Sequence, residues 1–228
     1  MPADQRLTLV RRPTGPHARQ PVLTAGTPLP EARVVVIAVH GRGGRAEDML
    51  TLSRAVDVAG TAFCAPQAAQ QTWYPLRFLA PLEENEPWLS SGLDLIAATA
   101  ETLEALGIPR RRVVLLGFSQ GGCLALHAGA THATRWGGLV GLSAGLIGQP
   151  GITWSFPAAL DGTPVFLGCS DRDPHIPHDR LEETARVLDA IGGSVRLQVY
   201  PGMGHIVNAD EVEQVHHLIK AARGPARR

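Results

Sequence analysis

Hydrophobic positions fall in short runs separated by glycine, proline and polar stretches, and two kinds of run alternate. RVVVIAV (33–39) is unbroken apolar sequence of the kind that predicts a buried strand. In AEDMLTLSRAVDVAG (46–60), Met49, Leu52, Val56 and Ala59 recur at helical spacing and a glycine ends the pattern. TAFCAP (61–66) predicts a second short strand. A polar and aromatic loop, QAAQQTWYPLRFLAPLEENEP, follows it. Pro87 then suits the first turn of a helix carrying Leu89, Leu93, Ile96, Ala100, Leu103 and Leu106, which Gly107 stops. Strand 112–117 runs straight into helix 120–130. Further strands are expected at 138–143, 164–169 and 194–200, with helices near 178–191 and 209–222.

Strand–helix alternation of this regularity predicts an α/β fold, a mostly parallel central sheet with helices on both faces. Residues 1–32, rich in Pro, Arg, Thr and Gly, read as an irregular N-terminal lead-in with one short strand at 6–11. Residues 33–228 read as a single domain, a normal size for this class. No internal repeat is visible. Such sheets bind ligands beyond the carboxyl ends of their strands, so the residues just after each strand matter most.

Composition narrows the function. Charged residues make up 18% of the 228, and Lys+Arg balance Asp+Glu at 21 each. That neutrality argues against nucleic acid or an anionic membrane surface as the main partner. No apolar run is long enough to span a membrane, and the N-terminus lacks the apolar core of a secretory signal. Cys64, Cys123 and Cys169 form an odd set without CxxC spacing, which argues against disulfides and zinc and fits a reducing cytoplasm.

Four strand ends carry glycine-rich or polar signals: HGRGG (40–44), FSQGG (118–122), SDRDP (170–174) and PGMGH (201–205). Gly117-Phe118-Ser119-Gln120-Gly121 has the G-x-S-x-G form of a nucleophile elbow, set between a strand and a helix as that motif requires. A chain that turns from strand to helix within one residue strains that residue and crowds its neighbours, which must then be small. The serine is lifted clear at a helix N-terminus, where amides and the dipole favour developing negative charge. Without that context the motif is only a glycine-rich turn.

A serine hydroxyl needs a base near neutral pH, and the base needs an orienting carboxylate. Among nine histidines, His205 alone sits in a glycine-flanked loop after the last strand. His127, His132, His216 and His217 lie on or beside helices, and His17 is in the lead-in. His40 reads as a brace for the HGRGG turn. Asp171 and Asp173 are two residues apart and either could orient His205; local sequence leaves the pair open, although Asp171 also suits a turn cap.

The four motifs in this order resemble the phospholipase/carboxylesterase family, which includes the acyl-protein thioesterases, within the α/β-hydrolase fold. The similarity covers roughly residues 33–222. The resemblance implies a serine carboxylesterase acting on small to medium acyl esters, with Ser119 as nucleophile, His205 as base and Asp173 as orienting acid. It implies an oxyanion hole from the backbone N–H groups of Arg42 and Gln120. Trp73 and Tyr74 would border the substrate pocket, although aromatic anchors holding the loop on the core suit these residues equally. Arg42 stands where the thioesterases usually carry an apolar residue, Gly44 where they carry an aspartate, and Ser170 where they carry a glycine. No metal or organic cofactor is implied. The partner is a small-molecule ester, and homodimerisation is left open.

Other readings compete. A thioesterase or a lysophospholipase would use the same residues. Gly41 to Ala46 matches G-x-G-x-x-A after a strand, the form of a dinucleotide-binding turn, but the next strand ends in Cys64-Ala65-Pro66-Gln67 without the acid that holds a ribose. A dienelactone-type hydrolase would need cysteine at the elbow, which holds Ser119; Cys123 reads as a small buried residue one turn later. A non-catalytic binding protein of this fold would be expected to lack one of the three polar residues.

Overall fold

The computed structural model describes residues 5–56, 58–132, 134–157 and 159–223. Eight strands form one sheet: β1 (Gln5–Arg6), β2 (Val22–Gly26), β3 (Val34–Val39), β4 (Thr61–Pro66), β5 (Val113–Phe118), β6 (Gly138–Leu142), β7 (Pro164–Ser170) and β8 (Ser194–Tyr200). Their spatial order is β1-β2-β4-β3-β5-β6-β7-β8. From β4 to β8 every neighbouring pair is parallel; β1 and β2 add an antiparallel edge. The fold is that of the α/β hydrolases. Among the described residues, no helix is long and apolar enough to cross a membrane.

Five helices cover the two faces: α1 (Ala46–Val56), α2 (Trp88–Ala105), α3 (Gln120–Thr131), α4 (His178–Ala190) and α5 (Ala209–Ala222). Because successive strand side chains point to opposite faces, the apolar run of β3 divides. Val35, Ile37 and Val39 pack with Leu95, Leu124 and Leu181 of α2, α3 and α4, whereas Val34, Val36 and Ala38 pack with Met49 and Val215 of α1 and α5. A strand buried on both faces has no place for polar residues, which is why its hydrophobic pattern is continuous rather than alternating.

The lead-in differs from the sequence expectation. Val22–Gly26 enters the sheet against β4, with Leu23 opposite Ala65. The expected strand at 6–11 is reduced to its first position, since only Gln5–Arg6 pairs with β2. VLTAG is short, ends on glycine and sits between Pro21 and Pro28, so no periodicity distinguishes it from loop. Its strand character comes from the open edge of β4, a tertiary effect. Further along, Arg11 pairs with Asp94 at 2.6 Å and with Glu101, which ties the lead-in to α2.

The topology fixes the site. From the central β3 the chain moves to β4 on one side and returns through α2 to β5 on the other. The carboxyl ends of β3 and β5 therefore open a crevice between the 40–44 turn and Ser119, where an open α/β sheet places its ligand.

Candidate active site

Ser119 joins β5 to α3 with φ 54° and ψ −125°, outside the regions that side-chain-bearing residues favour. Its N–H donates to Leu142 O at 2.9 Å, and its carbonyl accepts the helical bond from Cys123 N at 2.9 Å. The strain is held by close packing. A Cβ on Gly117 would strike the backbone of Gly121, and one on Gly121 would strike the carbonyls of Val39 and His40. The glycines are therefore required by backbone proximity: strand β3, strand β5 and the first turn of α3 meet with no room for a side chain.

The structure brings Ser119, His205 and Asp173 into one hydrogen-bonded chain. Asp173 Oδ2 accepts from His205 Nδ1 at 2.7 Å, and His205 Nε2 lies 2.8 Å from Ser119 Oγ. With Nδ1 protonated toward the carboxylate, Nε2 is left as an acceptor for the serine hydroxyl. The other carboxylate oxygen of Asp173 accepts the N–H groups of His175 and Ile176 at 2.8 and 3.1 Å. Burial pushes the Asp173 carboxyl up, but the bonds from His205, His175 and Ile176 outweigh it and hold the group below its ordinary range. Asp173 thus stays ionised beneath the imidazole.

Asp171 has a different task. Its Oδ1 accepts Gly202 N–H at 2.7 Å, while Ser170 Oγ accepts Gly204 N–H at 3.1 Å and Arg172 N–H at 3.1 Å. Both side chains reach from the end of β7 to the loop after β8 and fix the stretch that carries His205. The ambiguity between the two aspartates is resolved by geometry: Asp173 meets the ring, and Asp171 meets the loop. Behind that loop, Asn208 and Glu211 form a reciprocal cap that starts α5.

Ser119 and His205 open on a cavity of about 870 Å³ walled chiefly by residues 74–80, Phe118 and Ile176. Arg42 and Gln120 also line it. Among the described residues, neither backbone N–H finds an acceptor. Their side chains are fully occupied elsewhere. The Arg42 guanidinium donates to Thr72 Oγ1, Tyr74 O, Pro75 O and Leu76 O at 2.6–3.0 Å. Gln120 Oε1 accepts Trp73 N–H at 3.0 Å, and its Nε2 donates to Tyr74 O at 2.8 Å. The sequence points to the two amides but not to these clamps, whose partners are mostly main-chain groups without any sequence signature.

Tyr74 lines the cavity, whereas Trp73 does not; it is fully buried and its indole N–H donates to His40 O at 2.8 Å. The expectation that Trp73 borders the pocket is corrected accordingly: it is a core anchor for the loop. His40 is a brace, accepting Ala68 N–H at 3.1 Å through Nε2.

A sequence model of the phospholipase/carboxylesterase family matches residues 27–223. The chain belongs to this family. A phospholipase/carboxylesterase from Dyadobacter fermentans is 34% identical and superposes with a TM-score of 0.85 over 93% of this chain and 100% of that one. Acyl-protein thioesterase 1 of Yarrowia lipolytica is 26% identical over 89% of this chain and 95% of its own. The match to acyl-protein thioesterase 1 of Gibberella zeae, 34% identical, spans only about half of each protein, 52% of both.

Within this family frame the three cysteines are free and buried. Burial pushes each thiol up to about 12, far from the thiolate form that reacts with alkylating agents. Cys123 touches the cavity wall, so it is the one whose alkylation could block the site. Iodoacetamide at neutral pH is expected to leave ester hydrolysis largely unchanged. Rapid inactivation with the adduct on Cys123 would contradict this account of the thiol.

Proposed function

We propose that the protein is a carboxylic ester hydrolase, a serine esterase that cleaves small to medium acyl esters through an acyl-enzyme. One observation carries the reading: the continuous chain from Asp173 through His205 to Ser119, ending at the mouth of an apolar-walled cavity. Ser119 Oγ attacks the ester carbonyl while His205 Nε2 takes its proton. Asp173 keeps the ring in the required tautomer and stabilises the imidazolium. The amides of Arg42 and Gln120 donate hydrogen bonds to the carbonyl oxygen as negative charge develops on it. His205 then protonates the departing alcohol, and water repeats the sequence on the acyl-enzyme.

A thioester is the second reading, favoured by relatives that carry the name acyl-protein thioesterase, among them the two described above. Sulfur leaves more easily than oxygen, so matched oxygen and sulfur esters over a series of acyl lengths separate the two. The three free thiols suit a reducing compartment such as the cytoplasm.

The esterase reading is tested with a fluorophosphonate. A single adduct is expected on the peptide containing Ser119, with loss of hydrolysis in step with labelling. Modification of another serine, or labelling without loss of activity, would refute the assignment.

A further inference from the structure

Charge around the cavity has one sign. Its lining includes Arg42, Arg77, His175 and His205 and no aspartate or glutamate. The whole chain balances 21 basic against 21 acidic residues, so the imbalance is local. Asp173 lies behind the imidazole of His205, with its oxygens taken by His205 and two amides, and does not itself line the cavity.

The two arginines differ. Arg42 spends its guanidinium on one side-chain hydroxyl and three main-chain carbonyls. Arg77 is exposed, and among the described residues its side chain has no hydrogen bond or ion pair. Its sequence neighbours Leu76, Phe78 and Leu79 also line the cavity and supply apolar surface. A guanidinium in such a wall packs its stem and keeps a planar fork free, a geometry that matches a carboxylate bidentately. His175 stands on the same side, its ring edge-on to His205 with centroids 4.7 Å apart.

We infer that the cavity takes esters bearing a second, anionic group, and that Arg77 reads that charge. The inference rests on the esterase reading above and deepens it. The neutral apolar wall accepts the chain of the substrate, and the unpaired guanidinium distinguishes a charged chain from an uncharged one of equal length.

The test compares two esters with one leaving group and equal acyl length, 4-nitrophenyl hydrogen glutarate and 4-nitrophenyl pentanoate. The measured quantity is the ratio of their kcat/KM values, charged over neutral. Arg77→Gln is expected to lower this ratio about two- to fivefold relative to the native protein, mainly through KM. Arg77→Lys retains part of the preference as a point charge, and Arg77→Glu lowers the ratio further. The native ratio also falls as salt rises to about 0.3 M, because an exposed pair is screened. A ratio equal in the native protein and the Gln and Glu variants overturns the charge reading while leaving the esterase reading intact. Turnover of neither ester, with no fluorophosphonate adduct on Ser119, overturns both.

Discussion

Replacing Ser119 by alanine is expected to lower kcat/KM for a good ester by a factor on the order of 10³ or more, leaving the residual rate that binding and oxyanion stabilisation alone provide. The alanine retains Cβ and therefore the same strained backbone at φ 54°. The N–H bond to Leu142 O and the packing of Gly117 and Gly121 are also untouched. The melting temperature is accordingly expected to stay close to that of the native protein, which makes the loss of rate attributable to the missing hydroxyl. His205 keeps its bond to Asp173 and presents a competent base with nothing to deprotonate except water. An alanine variant that is folded and hydrolyses the ester at near-native rate would place the nucleophile elsewhere.

The second large effect separates the two aspartates. Asp173→Asn is expected to cut turnover by about 10³- to 10⁴-fold. An amide oxygen can still accept from His205 Nδ1, but it carries no charge to stabilise the imidazolium. An amide nitrogen in the same place would favour the proton on Nε2, where it blocks transfer from Ser119. Asp171→Asn retains an oxygen for Gly202 N–H, now 2.7 Å from the carboxylate. The neutral acceptor makes a weaker bond, so a loss within about tenfold is expected. Each assay is paired with a thermal melt to exclude unfolding. If Asp171→Asn were the severe variant and Asp173→Asn nearly silent, the hydrogen-bond geometry at His205 would be wrong.

Most of the sheet was legible in the sequence for a physical reason. β4, β8 and α5 fall at 61–66, 194–200 and 209–222 as expected: β4 is a continuous buried run, β8 is a half-exposed strand that alternates apolar Val195, Leu197 and Val199 with polar residues, and α5 shows helical spacing. β2 escaped, since a short strand between prolines near the sheet edge takes its form from its neighbours rather than from its own pattern. At the site, residue type and position after a strand were enough to single out Ser119 and His205. Choosing Asp173 from local sequence was not possible, because both aspartates end the same strand and only three-dimensional placement says which reaches a ring and which reaches a loop. The family resemblance favoured Asp173, and the 2.7 Å contact agrees. Ser170 is instructive here: the sequence showed only that it departs from the family glycine, and its hydroxyl accepts Gly204 N–H on the histidine loop. Trp73 went the other way, an aromatic in a polar loop that turned out to be core.

The residues proposed to hold the oxyanion, Arg42 and Gln120, both end their side chains on the 72–76 segment, of which Tyr74, Pro75 and Leu76 line the cavity. In the proposed mechanism, gripping the ester oxygen and shaping the pocket would be geared to one another, since a bulky acyl group pushing on the wall would press on the residues whose amides are proposed to face the reacting carbon. Poorly fitting substrates are then penalised in speed more than in affinity. Widening the wall at Tyr74 or Leu76 would carry the same signature, a fall in kcat for the original ester larger than the rise in its KM. On the proposed mechanism, selectivity would not drift freely from catalytic power, because the same residues would serve both.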